Sequence, residues 1–122
     1  PEFGDIDSGY DYVQPILELG AHVAPTGIAF YNNDFHFPEE FKNNLFITLH
    51  GSWNRSSKVG YKVLRVVLNE AGEVTTAEDF ITGWLQGEKV IGRPSAPFVM
   101  SDGSLLISDD MANVIYRMTY TK

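Results

Sequence analysis

An internal repeat constrains this chain more than any other feature of its sequence. Residues 25–69 and residues 94–120 follow the same order: Pro and a small residue, an apolar run, a turn, a second apolar run that ends in polar residues, and a third run. The first copy is followed by the alternating segment TTAEDFITGW at 75–84, whereas the second copy has no such segment after it. Units of about 40 to 50 residues with four short strands are typical of β-propeller blades.

The runs inside both copies are rich in β-branched and aromatic residues, which predicts strands. They are GIAFY (27–31), NLFITLH (44–50), YKVLRVVL (61–68), APFVM (96–100), SLLIS (104–108) and VIYRMTY (114–120). Turns rich in Asn, Asp and Gly separate them. The one helical candidate, FPEEFKNN, is too short to count. We therefore predict an all-β fold built from antiparallel propeller blades.

The repeat also suggests a division of the chain. We expect a blade at 25–84, an incomplete blade at 94–120 and a lone outer strand at 13–20, the last from the run VQPILELG. Together these make residues 15–122 part of a propeller. Residues 1–14 are expected to be an N-terminal extension or a remnant of cloning.

Composition and charge limit the classes of function. The chain has 122 residues, 43% of them hydrophobic and 20% charged, which suits one modest domain with a core. Its net charge of −7 argues against binding nucleic acid or an anionic membrane surface. There is no cysteine, and no apolar run approaches the roughly 18 residues of a spanning helix. The acidic start PEFGDIDSGYDY does not resemble a basic signal peptide. We expect a soluble chain or the mature part of an exported protein.

The segment HGSWNR, at 50–55, carries most of the chemistry-bearing side chains, directly after an apolar run. His50 could donate to a ligand or hold a loop. Trp53 could stack on a planar ligand, although the tight turn before it favours a packed structural anchor. Asn54 could bond a ligand or cap that turn. The sequence leaves open whether this segment is a structural corner or a site.

The remaining polar residues indicate structure more than chemistry. Asp102, Asp109 and Asp110 have the oxygen ligands of a calcium site, but only one pair is adjacent and no EF-hand pattern is present, so turn formation is the favoured interpretation. Arg65 and Arg117 lie inside strands and are expected on solvated faces. No His-x-x-x-His spacing predicts zinc, and no Gly-x-Ser-x-Gly elbow predicts a hydrolase.

Several segments in order resemble one family. GAHVAPTGIAFY, LFITLHGSWNRSSKVGYKVLRV, DFITGW, GRP and SDGSLLISDDMANVIYRMTY are similar to the C-terminal part of the glucose/sorbosone dehydrogenase family, from about Pro15 to Tyr120. These are soluble quinoprotein sugar dehydrogenases that use pyrroloquinoline quinone (PQQ). The resemblance implies a six-bladed propeller with the quinone over its central channel and a calcium ion beside it. It also implies a periplasmic or secreted location, although the chain shows no signal peptide.

The resemblance further implies the C-terminal part of a sugar or aldose (sorbosone-like) dehydrogenase that oxidises a sugar or alcohol. The base of that family lies in the N-terminal part, so we expect no catalytic residue here and little or no activity from the chain alone. Because PQQ carries several carboxylates, paired guanidinium donors suit it. The expected cofactor contacts are His22, His50, Trp53, Asn54, Arg55 and Arg93. Among these, Trp53 is expected to act mainly as a structural anchor.

A different class of function stays open at this point. The chain could be a non-catalytic binding or assembly module that closes a propeller by homo-oligomerisation. Two blades from each of three copies make six, so a cyclic homotrimer would cover the sheet faces and edges that a lone copy exposes. The other way to cover them is with N-terminal blades missing from this sequence.

Overall fold

The computed structural model describes residues 13–32, 36–53 and 55–121. Every strand pairing in these ranges is antiparallel, which confirms the predicted all-β class. A four-stranded sheet has the order β1-β2-β3-β4, a two-stranded ribbon pairs β5 with β6, and a three-stranded sheet has the order β7-β8-β9. The strands are β1 Pro25–Tyr31, β2 Asn44–Leu49, β3 Lys62–Leu68, β4 Val74–Ile81, β5 Leu85–Gln86, β6 Lys89–Val90, β7 Pro94–Val99, β8 Leu105–Asp109 and β9 Val114–Met118.

Two elements differ from the predictions. The expected lone strand at 13–20 is wrong, because these residues form no strand. Leu17 and Leu19 instead pack onto one face of the four-stranded sheet, where an apolar side chain is buried without strand pairing. The β5-β6 ribbon was not predicted. The one helix in the described ranges is the 3₁₀ turn Glu39–Phe41, so no helix there could cross a membrane.

The main core lies between the two larger sheets and is mostly aromatic. Phe46 and Phe80 approach to 4.9 Å between ring centroids, and the buried Tyr31 hydroxyl donates to the Gly103 carbonyl at 2.7 Å. That bond joins β1 to the turn before β8. The buried members of this core are Tyr31, Phe37, Phe46, Tyr61, Val63, Trp84, Leu105 and Ile107. Desolvation of the hydroxyl raises the pKa of Tyr31, so the phenol stays neutral.

Strand arginines have two different surroundings. Arg117 is 56% exposed and pairs with Asp102 at 2.5 Å, in agreement with the predicted solvated face. Arg65 contradicts that prediction, because its side chain is only 13% exposed. Its Nε donates to Asn44 Oδ1 at 2.6 Å, and its guanidinium lies 4.0 Å from the centre of the Phe41 ring. Aromatic stacking and a buried amide therefore hold Arg65 within the structure.

The two sheets approach most closely where β1 and β7 begin. A Cβ at Gly27 would lie 2.7 Å from Cδ of Pro97 and 2.8 Å from Cα of Ala96, so only glycine permits this backbone contact. The Thr48 hydroxyl donates to the Ser95 carbonyl at 2.8 Å across the same junction. Because β2 and β8 end where β1 and β7 begin, loops from both sheets meet at this one end of the molecule.

Each large sheet keeps an apolar side chain on its outer side. Ile28 on β1 is 63% exposed, as is Phe98 on β7, and Ile115 on β9 is 69% exposed. Strand β9 has one partner, β8, within the described residues. Large apolar side chains exposed on a sheet beside an open edge are typical of surfaces that pack against further strands.

Candidate functional site

The loop end of the two sheets gathers most of the residues predicted to act on a ligand. Backbone pairing brings two of the predicted segments together: the His50 amide donates to the Ala24 carbonyl at 2.9 Å, and the Gly51 amide donates to Val23 at 3.0 Å. The segment that carries His22 therefore lies beside HGSWNR. We call residues 50–55 the HGSWNR loop.

The HGSWNR loop is anchored by Tyr61, a residue that sequence reasoning missed. The loop turns at Gly51, whose φ is +100°, and a Cβ there would lie 2.5 Å from the Tyr61 ring. Tyr61 is buried, and its hydroxyl donates to the Ser52 carbonyl. The Ser52 amide donates in turn to Val59 at 2.9 Å. Tyr61 thus fills the anchoring position that the sequence assigned to Trp53.

Trp53 itself projects into solvent. Its side chain is 79% exposed, so the interpretation of Trp53 as a packed anchor is wrong. Burying an indole contributes a large apolar area, and an exposed indole forgoes that stabilisation. An exposed indole of this kind is suited to stack on a planar partner.

Arg93 is directed at the backbone of the same loop. Its Nε donates to the His50 carbonyl at 3.0 Å, and its Nη2 donates to the carbonyls of Gly51 at 2.6 Å and Ser52 at 3.2 Å. The guanidinium carbon also lies 5.3 Å from the centre of the Tyr61 ring. Arg93 therefore joins the loop before β7 to the loop after β2.

Asp109, at the end of β8, is buried and accepts several hydrogen bonds. Its Oδ1 accepts the backbone amides of Arg93 at 3.0 Å, Met111 at 3.0 Å and Ala112 at 2.9 Å, and its Oδ2 accepts the Tyr116 hydroxyl at 2.7 Å. Burial by itself raises the pKa of Asp109, but these bonds outweigh burial and the net pKa is lowered. The carboxylate stays ionised and closes the turn after β8, as the sequence predicted.

Gly92 lies directly against that carboxylate. A Cβ at residue 92 would collide with Asp109 Oδ2 and would lie 2.6 Å from Cδ1 of the buried Trp84. Lack of space, not an unusual φ, therefore makes glycine necessary here. The GRP motif thus starts with a glycine that lets the chain pass close to the end of β8.

His50 forms a second link between the two sheets. Its Nε2 lies 2.8 Å from Oδ1 of Asp110, and the two residues belong to the ends of β2 and β8. The hydrogen bond to His50 is the main reason why the pKa of Asp110 is lowered. The His50 ring is 20% exposed and the Asp110 side chain 67% exposed, so the pair borders solvent.

The other predicted contacts lie nearby or outside the described ranges. Arg55 is exposed, and its guanidinium makes no hydrogen bond or ion pair with any described residue. His22 is exposed in the turn before β1, with a φ of +65°. Asn54 lies outside the described residues.

These surroundings partly fit a planar, polyanionic cofactor such as PQQ. An exposed indole and an exposed guanidinium, two residues apart at Trp53 and Arg55, are suited to stack on a ring system and to pair with a carboxylate. Arg93 fits less well as a direct contact, because its Nε and Nη2 already serve backbone carbonyls. Across the described part of the chain, no three His, Cys, Asp or Glu side chains cluster as metal ligands would.

Comparison with known proteins shows the family. Residues 3–120 match the model of the TrAA12-like family, and the chain belongs to that family. A relative in Borreliella burgdorferi, itself an uncharacterized protein, is 46% identical over 115 residues, which are 91% of this chain and 30% of the relative. The PQQ-dependent pyranose dehydrogenase of Coprinopsis cinerea is 44% identical over 55 residues, or 44% of this chain and 6% of that enzyme.

Solved structures give the same relationship. The holo form of the pyranose dehydrogenase PQQ domain from Coprinopsis cinerea superposes with a TM-score of 0.67 at 27% identity, covering 88% of this chain and 29% of that one. The calcium structure of the Trichoderma reesei family AA12 enzyme gives a TM-score of 0.72 at 25% identity, covering 89% and 27%. The chain thus spans less than a third of the length of these relatives.

The family found by comparison refines the resemblance seen in the sequence. The chain is related to PQQ-dependent pyranose dehydrogenases, which confirms the predicted kinship with quinoprotein sugar oxidoreductases. Assignment to the sorbosone dehydrogenases in particular stays a prediction.

Proposed function

We propose that this chain supplies one wall of the cofactor site in a PQQ-dependent sugar dehydrogenase. The single observation that carries the proposal is the exposure of Trp53 and Arg55, just after residues 50–52, whose backbone is held by hydrogen bonds. A Trp that is 79% exposed contributes little burial to the folding of this chain. The kinship with PQQ-dependent pyranose dehydrogenases supports a quinone as the missing partner.

Each side chain has a distinct task in this proposal. The Trp53 indole stacks on the quinone rings, and Arg55 pairs with a cofactor carboxylate through its planar guanidinium. The His50 ring, held by Asp110, borders the cofactor's polar edge. When bound, PQQ supplies the acceptor for hydride in sugar oxidation, and the protein orients it. The proton acceptor for the sugar hydroxyl comes from outside this chain, so the chain alone binds cofactor without oxidising sugar.

A fluorescence titration tests the proposal. The chain contains two tryptophans, exposed Trp53 and buried Trp84. PQQ added to the wild-type chain is expected to quench Trp53 in a saturable way. Trp53→Phe leaves Trp84 as the reporter and corrects for light absorbed by the quinone itself. Arg55→Gln is expected to weaken binding about tenfold, since a charge-assisted hydrogen bond is worth about 1.5 kcal/mol or more.

A matched control separates a specific contact from general charge. Arg117→Gln removes an exposed guanidinium from β9, away from the HGSWNR loop, and is expected to leave PQQ affinity unchanged. Quenching that is no greater in the wild type than in Trp53→Phe would refute the proposal. Equal weakening by Arg55→Gln and Arg117→Gln would show only a nonspecific attraction of the anion to the protein.

We also propose that the two large sheets are adjacent blades of a six-bladed propeller. The exposed Phe98 and Ile115 favour this, because a further blade would cover them, and the open edge of β9 leaves room for the fourth strand of a blade. Blades from elsewhere in a longer protein and blades from two more copies of this chain would cover them equally. A homotrimer is therefore the second candidate, as an assembly module without catalysis of its own.

A further inference from the structure

Arg93 makes an unusual set of bonds. The carbonyls of three consecutive residues, His50, Gly51 and Ser52, all accept from one guanidinium, at 3.0, 2.6 and 3.2 Å. In a strand, consecutive carbonyls point to opposite sides, so they cannot converge on one donor. The left-handed φ of +100° at Gly51 brings them to the same side.

A cationic donor suits such an arrangement of carbonyls. Three backbone dipoles with their negative ends together repel one another, and a positive group between them offsets that repulsion. Arg93 is the side chain that supplies this charge, and its planar fork matches several acceptors at once. Tyr61 supports the guanidinium from one side, with its ring centre 5.3 Å away.

Arg93 is itself fixed from the opposite sheet. Its backbone amide donates to the buried carboxylate of Asp109 at 3.0 Å. The bonds therefore run without a break from the end of β8, through Arg93, to the backbone that precedes Trp53. We therefore expect a movement of the Arg93 side chain to shift the backbone that precedes the exposed Trp53 indole.

We propose that Arg93 is a positioning residue, which fixes the backbone at 50–52 so that Trp53 and Arg55 are presented to the cofactor. Its Nε and Nη2 donors serve the loop, so the bidentate edge of the guanidinium that they form is directed at the backbone and not at a cofactor carboxylate. The identity of the ligand rests on the proposed function. The mechanical role of Arg93 does not, and it holds in the ligand-free protein.

Hydrogen exchange in the chain without PQQ tests this role. Arg93→Gln keeps a polar side chain but removes the charge, and Arg93→Lys keeps the charge but removes the planar fork. The amides of Gly51 and Ser52, bonded to Val23 and Val59, are expected to exchange at least tenfold faster in Arg93→Gln. Arg93→Lys is expected to lie between Arg93→Gln and the wild type. Arg117→Gln is the control and should leave both amides unchanged.

The PQQ titration on the same variants separates the two roles. If Arg93 positions the loop, the loss of PQQ affinity follows the increase in exchange across the Lys and Gln variants. Unchanged exchange at Gly51 and Ser52 combined with weaker PQQ binding would overturn the inference and make Arg93 a direct ligand. If the wild-type chain does not bind PQQ but the Arg93 variants still exchange faster, the proposed function is refuted and the positioning role of Arg93 is retained.

A second amide distinguishes local opening of the loop from global unfolding of the chain. The buried amide of Val63 in β3 exchanges slowly while the sheet is intact. If Val63 also exchanges faster in Arg93→Gln, the comparison is made with Arg93→Lys alone. An Arg93→Lys variant with an intact β3 and wild-type exchange at Gly51 and Ser52 would then refute the need for the planar fork.

Discussion

Replacing Asp109 by Asn should destabilise the fold by about 2 kcal/mol at neutral pH. The carboxylate accepts three backbone amides and the Tyr116 hydroxyl. A hydrogen bond to a charged acceptor contributes about 1 kcal/mol more than one to a neutral acceptor, so four bonds would lose about 4 kcal/mol. Burying a neutral amide in place of a charge recovers part of this, roughly half. The amide nitrogen of Asn also presents a donor to Tyr116, which must then reorient.

The same variant has a distinctive dependence on pH. The pKa of Asp109 is lowered in the folded state from its ordinary value of 3.8, so the ionised carboxylate stabilises the fold above that value. This stabilisation is lost as the pH falls through the lowered pKa, where folding no longer benefits from the charge. Asp109→Asn lacks the group altogether. The difference in free energy of unfolding between the wild type and Asp109→Asn should therefore be largest near pH 7 and smaller at pH 3 or below.

Urea unfolding, followed by tryptophan fluorescence and circular dichroism at both pH values, measures that difference. Asp110→Asn is the matched control, since it makes the same chemical change one residue along in a side chain that is 67% exposed. It should cost much less than Asp109→Asn, because an exposed ion pair contributes little. The reasoning about Asp109 fails if both variants lose equally little at pH 7. It fails equally if the difference for Asp109→Asn stays constant or widens on acidification.

Two further predictions concern how the sheets are held and covered. Tyr31→Phe leaves the Gly103 carbonyl and the Phe37 amide without their hydrogen-bond partner. The free energy of unfolding, measured in urea, should therefore fall by about 2 kcal/mol. A decrease of less than about 0.5 kcal/mol would contradict a role of this hydroxyl in joining the sheets. If further copies of the chain cover the exposed Phe98 and Ile115, light scattering should give three times the monomer mass. The variant Phe98→Asp should then be a monomer. A wild-type chain that is monomeric at all concentrations would refute the homotrimer.

Local patterns were sufficient to predict most of the fold. Strands β2, β3 and β8 could be found because β-branched residues and turn residues mark them within a few positions in sequence. The run at 13–20 failed because alternating apolar residues suit an edge strand and a segment lying on a sheet face equally well. Which of the two forms depends on whether the neighbouring sheet has an open edge or an open face. The position of that sheet is set by residues distant in sequence, so the segment 13–20 alone does not encode which structure it forms.

The candidate site was predictable in composition but not in arrangement. The HGSWNR loop was recognised because it places an imidazole, an indole and a guanidinium within six residues, directly after an apolar run. The exchange of roles between Trp53 and Tyr61 was not foreseen, since Tyr61 reaches the loop through a left-handed backbone of φ +58°, which a tyrosine seldom adopts. The bonds from Arg93 span more than 40 positions in sequence, and no local pattern encodes them.

The tight contact between Gly92 and Asp109 gives the family a testable evolutionary marker. A side chain at residue 92 would occupy the space of the Asp109 carboxylate and would press on Trp84. The two positions, 17 apart in the chain, are therefore expected to covary, with a residue larger than glycine at the first only where the second has become smaller. In related sequences of unknown role, retention of both would indicate that the end of β8, and with it the support for the HGSWNR loop, has been kept.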